Sequence, residues 1–155
     1  MKECSKSMLR RVRDPNFARR YFVGDGIDIG GKPDPISAHK DMFSGMGKVR
    51  VWDWNDGDAQ HMSGLAAESL DFVHSSHCLE HLVNPRQGIK TWFNLLRLGG
   101  HMIVTVPDED LYEQGVFPST YNSDHKWTFT TYKKYSWSDQ CICVTDLVVG
   151  LGESA

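Results

Sequence analysis

Apolar positions along this chain alternate between the short period of strands and the longer period of helices. Ser5 to Tyr21 has helical spacing but a polar surface, and Pro15 divides it. Gly26-Ile27-Asp28-Ile29 predicts a short strand that runs into Gly30-Gly31 and a proline-containing loop, Lys32-Pro33-Asp34-Pro35. Lys48 to Trp54 sets Val49 and Val51 against Arg50 and predicts a second strand, with a turn at Asn55-Asp56-Gly57-Asp58. Ser69 to Ser75 carries Leu70, Phe72 and Val73 and predicts a buried strand. Leu79 to Leu98 places Leu82, Ile89, Trp92, Phe93 and Leu96 at helical spacing, with Gly99-Gly100 as the stop. His101 to Val106 predicts a strand ended by Pro107. Tyr112 to Lys126 reads as loop, Trp127 to Thr130 as extended, and Val144 to Leu151 as a helix closing at Gly152.

Strands alternating with helices imply right-handed crossovers and a mainly parallel sheet with helices on its faces. The 155 residues suffice for one core. They divide into a basic helical segment, 1–23, and an α/β unit, 24–155. Lys2, Lys6, Arg10, Arg11, Arg13, Arg19 and Arg20 face only Glu3 and Asp14, which reads as a solvated leading helix in preference to a substrate-facing basic arm for phosphate or nucleic acid. A net charge of −3 argues against a protein built mainly to hold nucleic acid. The four cysteines form neither a CxxC pair nor a disulfide framework and read as reduced thiols. No apolar run approaches the ~20 residues of a membrane span, and Met1 to Asp14 lacks a secretory apolar region, so a cytoplasmic location is expected.

In open parallel sheets ligands sit beyond the carboxyl ends of the strands, where strand order reverses. The residues that follow each strand are therefore the candidates. Gly30-Gly31 would let the backbone approach a ligand. Asp53 follows the second strand, where a carboxylate can accept both hydroxyls of a ribose. Asp58, in Gly57-Asp58-Ala59-Gln60, suits an adenine amino group, and Met62 could lie against the base. Ser75-Ser76-His77-Cys78-Leu79-Glu80-His81 follows the third strand, and Pro107-Asp108-Glu109-Asp110 the fourth. A general base could come from His77, His81, Asp108, Asp124 or His125; His77 and the Asp124-His125 pair are the chosen candidates. Asp124-His125 has a second reading, a loop clasp in which the carboxylate fixes the imidazole. His74, His77, Cys78 and His81 lack the HExxH order, and His74 lies within a strand, so no metal is expected. Trp52, Trp54, Trp92, Trp127 and Trp137 read as core or lid.

Taken in order, GIDIGG (26–31), GDAQHM (57–62), SLDFVHSSHCLEHL (69–82) and LLRLGGHMIVTVPDEDLYEQ (95–114) resemble the class I S-adenosylmethionine (SAM)-dependent methyltransferases of the methyltransferase-11-like type. The likeness runs from about Gly24 to Tyr112. It implies a Rossmann-like doubly wound, mainly parallel sheet and SAM as cofactor. It assigns cofactor contacts to Asp28, Gly30, Gly31, Asp53, Asp58, Ala59, Ser76 and His77. The glycine turn is shorter than the family's usual Asp-x-Gly-x-Gly-x-Gly, and the helix after the first strand is expected to shrink to a loop. That leaves Asp41 as a competitor to Asp53 for the ribose. Little chain follows Leu151, so the sheet is expected to lack its closing antiparallel strands, or the C-terminus to be truncated. An open edge of that kind could pair with another copy of the chain. Two functions stay open: methyl transfer to a small-molecule, sugar or lipid-linked acceptor, or a non-catalytic binding or assembly subunit with the same fold. A Rossmann dehydrogenase is disfavoured, since GxGxxG is absent.

Overall fold

The computed structural model describes residues 2–152 and centres on four strands: β1 (Gly24–Ile29), β2 (Met46–Trp52), β3 (Leu70–Ser76) and β4 (Leu96–Thr105). They pair in parallel in the order β2-β1-β3-β4. Ile27 of β1 lies opposite Arg50 of β2 and Val73 of β3, and Val73 lies opposite Met102 of β4. The chain leaves β1 to one side for β2 and returns to the other side for β3. The order therefore reverses at the carboxyl end of β1, where this architecture places its ligand.

The central strands are covered on both faces, which is why β3 reads as a nearly continuous buried run. Ile27, Ile29 and Val73 meet α3 (Pro85–Asn94) through Ile89 and Trp92. On the other face Phe72 and Ile103 meet Phe22, Phe43 and Met8. Met8 belongs to α1 (Glu3–Arg11), which buries Cys4 and Met8 and is not merely a solvated helix. Arg11 also donates to Thr105 Oγ1 over 2.8 Å at the end of β4. The basic segment is thus built onto the same core. In α2 (Pro15–Arg20) Pro15 occupies the first turn and Asp14 Oδ1 accepts from Asn16 N at 2.9 Å, a stop and a start in adjacent residues.

Three elements differ from the sequence expectation. The long helix over Leu79–Leu98 is trimmed to α3, preceded by a 3₁₀ turn at Leu79–His81. Leu82 is extended, and Asn84 caps α3 by accepting from Gln87 N at 3.1 Å with Pro85 in the first turn. Gly99-Gly100 does not stop a helix. The pair lies inside β4, where the register with β3 shifts, and a Cβ on Gly100 would come within 3.0 Å of Asp71 O. The segment after β1 is a 3₁₀ helix, Ile36–Met42, and not wholly loop.

The C-terminal part holds strands that the sequence did not show as a pair. β5 (Thr128–Thr130) and β6 (Cys141–Cys143) form a separate two-stranded parallel sheet, not an antiparallel one. Phe129 bridges Asp108, just beyond β4, so this end of the edge is covered. α4 (Val144–Gly152) follows and buries Leu147 and Leu151 in the α3-side core. No helix among the described residues is long and apolar enough to cross a membrane.

Trp92 is fully buried in that core. Trp92→Ala should lower unfolding stability by about 3–5 kcal/mol, read from the urea midpoint; a loss below about 1 kcal/mol would contradict its place in the core.

Candidate functional site

The bend after β1 is built around Asp28. Its Oδ2 accepts from Ile36 N at 2.7 Å, and its Oδ1 lies 2.6 Å from His74 Nδ1. Both oxygens are engaged, so Asp28 holds the loop, and His74 is a core partner and not a metal ligand. Gly30 has a φ of +70°, and a Cβ there would stand 2.7 Å from the Cβ of Cys78. A Cβ on Gly31 would overlap the Asp28 carboxylate. Both positions need glycine for the chain to come so close.

A cavity of about 710 Å³ opens over the strand ends. Gly30 and Lys32 form one flank, Asp53, Trp54 and Gly57 to Ala59 contribute the other, and His77, Cys78 and Asp124 also line it. A second space of about 280 Å³ adjoins it and shares Gly30, His77 and His81; Asp28, Gly31, Ser76 and His125 line it, with α1 contributing Glu3 and Cys4. Asp28, Gly30, Gly31, Asp53, Asp58, Ala59, Ser76, His77, Asp124 and His125 are thus gathered in two contiguous spaces at the switch point, whereas Asp108 lines neither.

Asp53 Oδ2 accepts from Lys32 N at 3.0 Å and Oδ1 from Trp54 N at 2.9 Å. A carboxylate has about four acceptor sites, so capacity remains for a ligand. Asp41 lines neither space. Asp58 Oδ1 accepts from Gln60 N at 2.7 Å, while its side chain is 61% exposed. Ala59 O accepts from Trp92 Nε1 at 2.7 Å, which ties this turn to the core. Met62 does not face the cavity. It is buried in the core, because the turn carries it inward. Trp54 is not core, being 90% exposed on the cavity wall, whereas Trp52 and Trp92 are core.

The far wall comes from two segments, one of which bonds to the backbone carbonyls of the other. Lys126 N donates to Glu80 O (2.9 Å), Lys126 Nζ to His81 O (2.7 Å) and Trp127 Nε1 to Leu82 O (2.9 Å). Asp124 Oδ2 lies 3.0 Å from His81 Nδ1, so Asp124 clasps His81 and not His125. The partner of His125 is Glu113, whose Oε1 is 2.6 Å from its Nδ1. His77, with a φ of +56°, has Nδ1 3.2 Å from Glu80 Oε1. Sequence reasoning treated Glu80 as a helix start and passed over Glu113. Glu113 stands 12 positions from His125 and carries no spacing signal. Burial, with Glu80 and Asp53 adding, pushes the Cys78 thiol up to about 12, which favours the neutral thiol over the thiolate.

A family model described as a methyltransferase domain matches residues 16–104, more than half of the chain. The chain belongs to that methyltransferase-domain family. A solved structure from Bacillus halodurans C-125, provisionally described as a methyltransferase, is 16% identical, with a TM-score of 0.61 over 99% of this chain and 66% of that one. It supports the Rossmann-like fold of this methyltransferase domain, and the domain spans just under two thirds of its length. A SAM-dependent methyltransferase of Thermotoga maritima, described as a possible histamine N-methyltransferase, is 15% identical, with a TM-score of 0.49 over 99% of this chain and 80% of that one. A search among curated proteins finds no match.

Gly30→Ala in this methyltransferase domain should cost about 1–3 kcal/mol for the backbone conformation alone, with the contact to Cys78 adding to it. Thermal unfolding measures the loss, and an unchanged midpoint would refute the required bend.

Proposed function

We propose that this methyltransferase domain binds SAM across the ends of β1, β2 and β3 and methylates a small-molecule, sugar or lipid-linked acceptor. The observation that carries the reading is that Gly30, Asp53, Asp58 and His77 line one cavity. Its volume, about 710 Å³, is of the size that small-molecule sites occupy. The free acceptor capacity of Asp53 suits the two ribose hydroxyls. Asp58 and Ala59 face the adenine edge, and exposed Trp54 offers a face to the base. Gly30 and Gly31 admit the methionine end, where the Ser76 hydroxyl is buried without a partner among the described residues. When bound, SAM supplies a methyl group on a sulfonium leaving group, so no covalent enzyme intermediate is required. The chain's part is to align the acceptor, exclude water and take a proton where the acceptor is a hydroxyl.

Of the three proton-handling candidates, His77 is assigned the base. It lines both spaces, and Glu80 near Nδ1 leaves Nε2 to face them. Asp124 and His125 shape the acceptor wall. The short glycine turn favours the second reading, a non-catalytic subunit, but a purely structural subunit has no need of a wall lined with imidazoles. A cytoplasmic setting and self-association through the partly covered sheet edge complete the proposal.

Calorimetry with SAM should show one site per chain, and its absence in folded protein would remove the reading. Asp53→Asn and Trp54→Ala should each weaken SAM by about 1–3 kcal/mol; unchanged affinity would unseat the residue concerned. His77→Asn, chosen because Asn tolerates positive φ, should lower turnover of a hydroxyl acceptor by about 10²–10⁴-fold with SAM affinity kept. Lost SAM binding in that variant would make His77 a cofactor contact instead.

A further inference from the structure

We infer that Glu80, His81 and His125 form a binding site for a divalent transition-metal ion on the acceptor side of the cavity. One ligand atom from each of the three residues lies within 4.8 Å of the others. Glu80 Oε1 is 3.9 Å from His125 Nε2, and the two imidazole rings are centred 5.0 Å apart. Ligands held tetrahedrally at ~2.0–2.2 Å from zinc sit about 3.4 Å from one another, so modest side-chain movement closes the set.

Two further observations point to an ion. Glu80 is fully buried, and neither carboxylate oxygen has a hydrogen-bond partner among the described residues; His77 Nδ1 lies 3.2 Å from Oε1 but not in hydrogen-bonding alignment. A buried carboxylate left in that state is costly unless a positive charge meets it. Second, each candidate imidazole has its Nδ1 side occupied by oxygen. Glu113 Oε1 holds His125 at 2.6 Å, and Asp124 holds His81 through Oδ2 at 3.0 Å and its carbonyl at 3.2 Å. This turns both Nε2 atoms into the available donors. It is also the arrangement by which an outer carboxylate orients a metal-bound histidine and raises its basicity.

Two imidazoles and one carboxylate leave a position open, as in hydrolytic zinc sites. His81 and His125 line the smaller space, so that position faces it. An acceptor with an oxygen donor, a hydroxyl or carboxylate, would occupy it beside the methyl donor. That role rests on the methyl-transfer reading, whereas the ion site does not. The site differs from the His74, His77, Cys78, His81 group of the sequence, which does not converge because His74 is committed to Asp28.

The test uses chelator-treated full-length protein titrated with Zn²⁺ by calorimetry and with Co²⁺ by visible absorption. One ion per chain and a tetrahedral or five-coordinate Co²⁺ spectrum are expected. Glu80→Gln and His81→Ala should each weaken Zn²⁺ by at least tenfold, and Glu113→Gln by about 10–100-fold. The exposed control His61→Ala should leave binding unchanged. His81 is at the surface of the cluster, so His81→Ala keeps the test decisive if Glu80→Gln fails to fold. No Zn²⁺ bound by folded protein, or equal binding by His81→Ala, overturns the site. SAM titration of the same sample separates the two proposals: SAM binding without Zn²⁺ removes only the ion, and Zn²⁺ binding without SAM removes only the cofactor.

Discussion

The Asp28 carboxylate is buried at the end of β1 and is divided between two partners, the Ile36 amide and His74 on the neighbouring strand. A charge in that position is tolerable only because both oxygens are satisfied. The two contacts have different consequences. His74 lies directly opposite Asp28 in the β1–β3 register, so one contact fastens the strands that flank the switch point. The other draws the chain back within eight residues, which leaves no room for a full helix after β1. Gly31 must lack a side chain because the carboxylate fills that space.

The same loop recruits the N-terminal segment. Asp34 Oδ2 accepts from Ser5 N at 2.7 Å, and Ser5 Oγ lies 3.1 Å from His39 Nε2, so α1 is moored to the loop that Asp28 shapes. Its Glu3 and Cys4 then close one side of the smaller space. Lys6 and Arg10 on α1 still face water, as their charge pattern suggests, whereas Arg11 turns inward to Thr105. The apolar minority, Cys4 and Met8, decides where the helix sits, because burying two side chains outweighs the weak preferences of exposed charges.

Much of this arrangement is legible in the sequence where a short apolar run meets a turn residue. β1, β2, β3 and the body of β4 are all of that kind, and the residues at their carboxyl ends converge as parallel-sheet geometry requires. Helical spacing was less reliable over 79–98, because Leu82, Asn84 and Pro85 interrupt it by backbone chemistry that a period does not register. Loop residues were the least legible. Met62 and Trp54 are both apolar and both close to the turns that follow β2, yet one is buried and the other projects from the cavity wall. The backbone at Met62 has a φ of 49°, a local feature that no repeating pattern registers. Glu113 was invisible for a related reason. Its partner lies across a folded loop, and no spacing rule links a turn after one strand to a histidine before the next.

The C-terminal pair gives this loop its place. Had β5 returned antiparallel to β4, the chain between them would have needed only to reverse. Parallel pairing at Asp108 and Phe129 instead obliges the chain to loop out and come back round, so that it re-enters the pairing in the same direction. That return delivers Asn122 to Trp127 over the carboxyl ends of the strands, where Lys126 and Trp127 bond to the backbone of the Leu79–Leu82 turn. The orientation of one short strand therefore determines that His125 and Asp124 stand beside Glu80 and His81. The strands after β4 serve less to close the sheet than to build the wall opposite the Asp53–Ala59 turn. A change that loosened Phe129 from Asp108 would act at that wall first, while β1, β2 and the Asp53–Ala59 turn, held by separate contacts, kept their geometry.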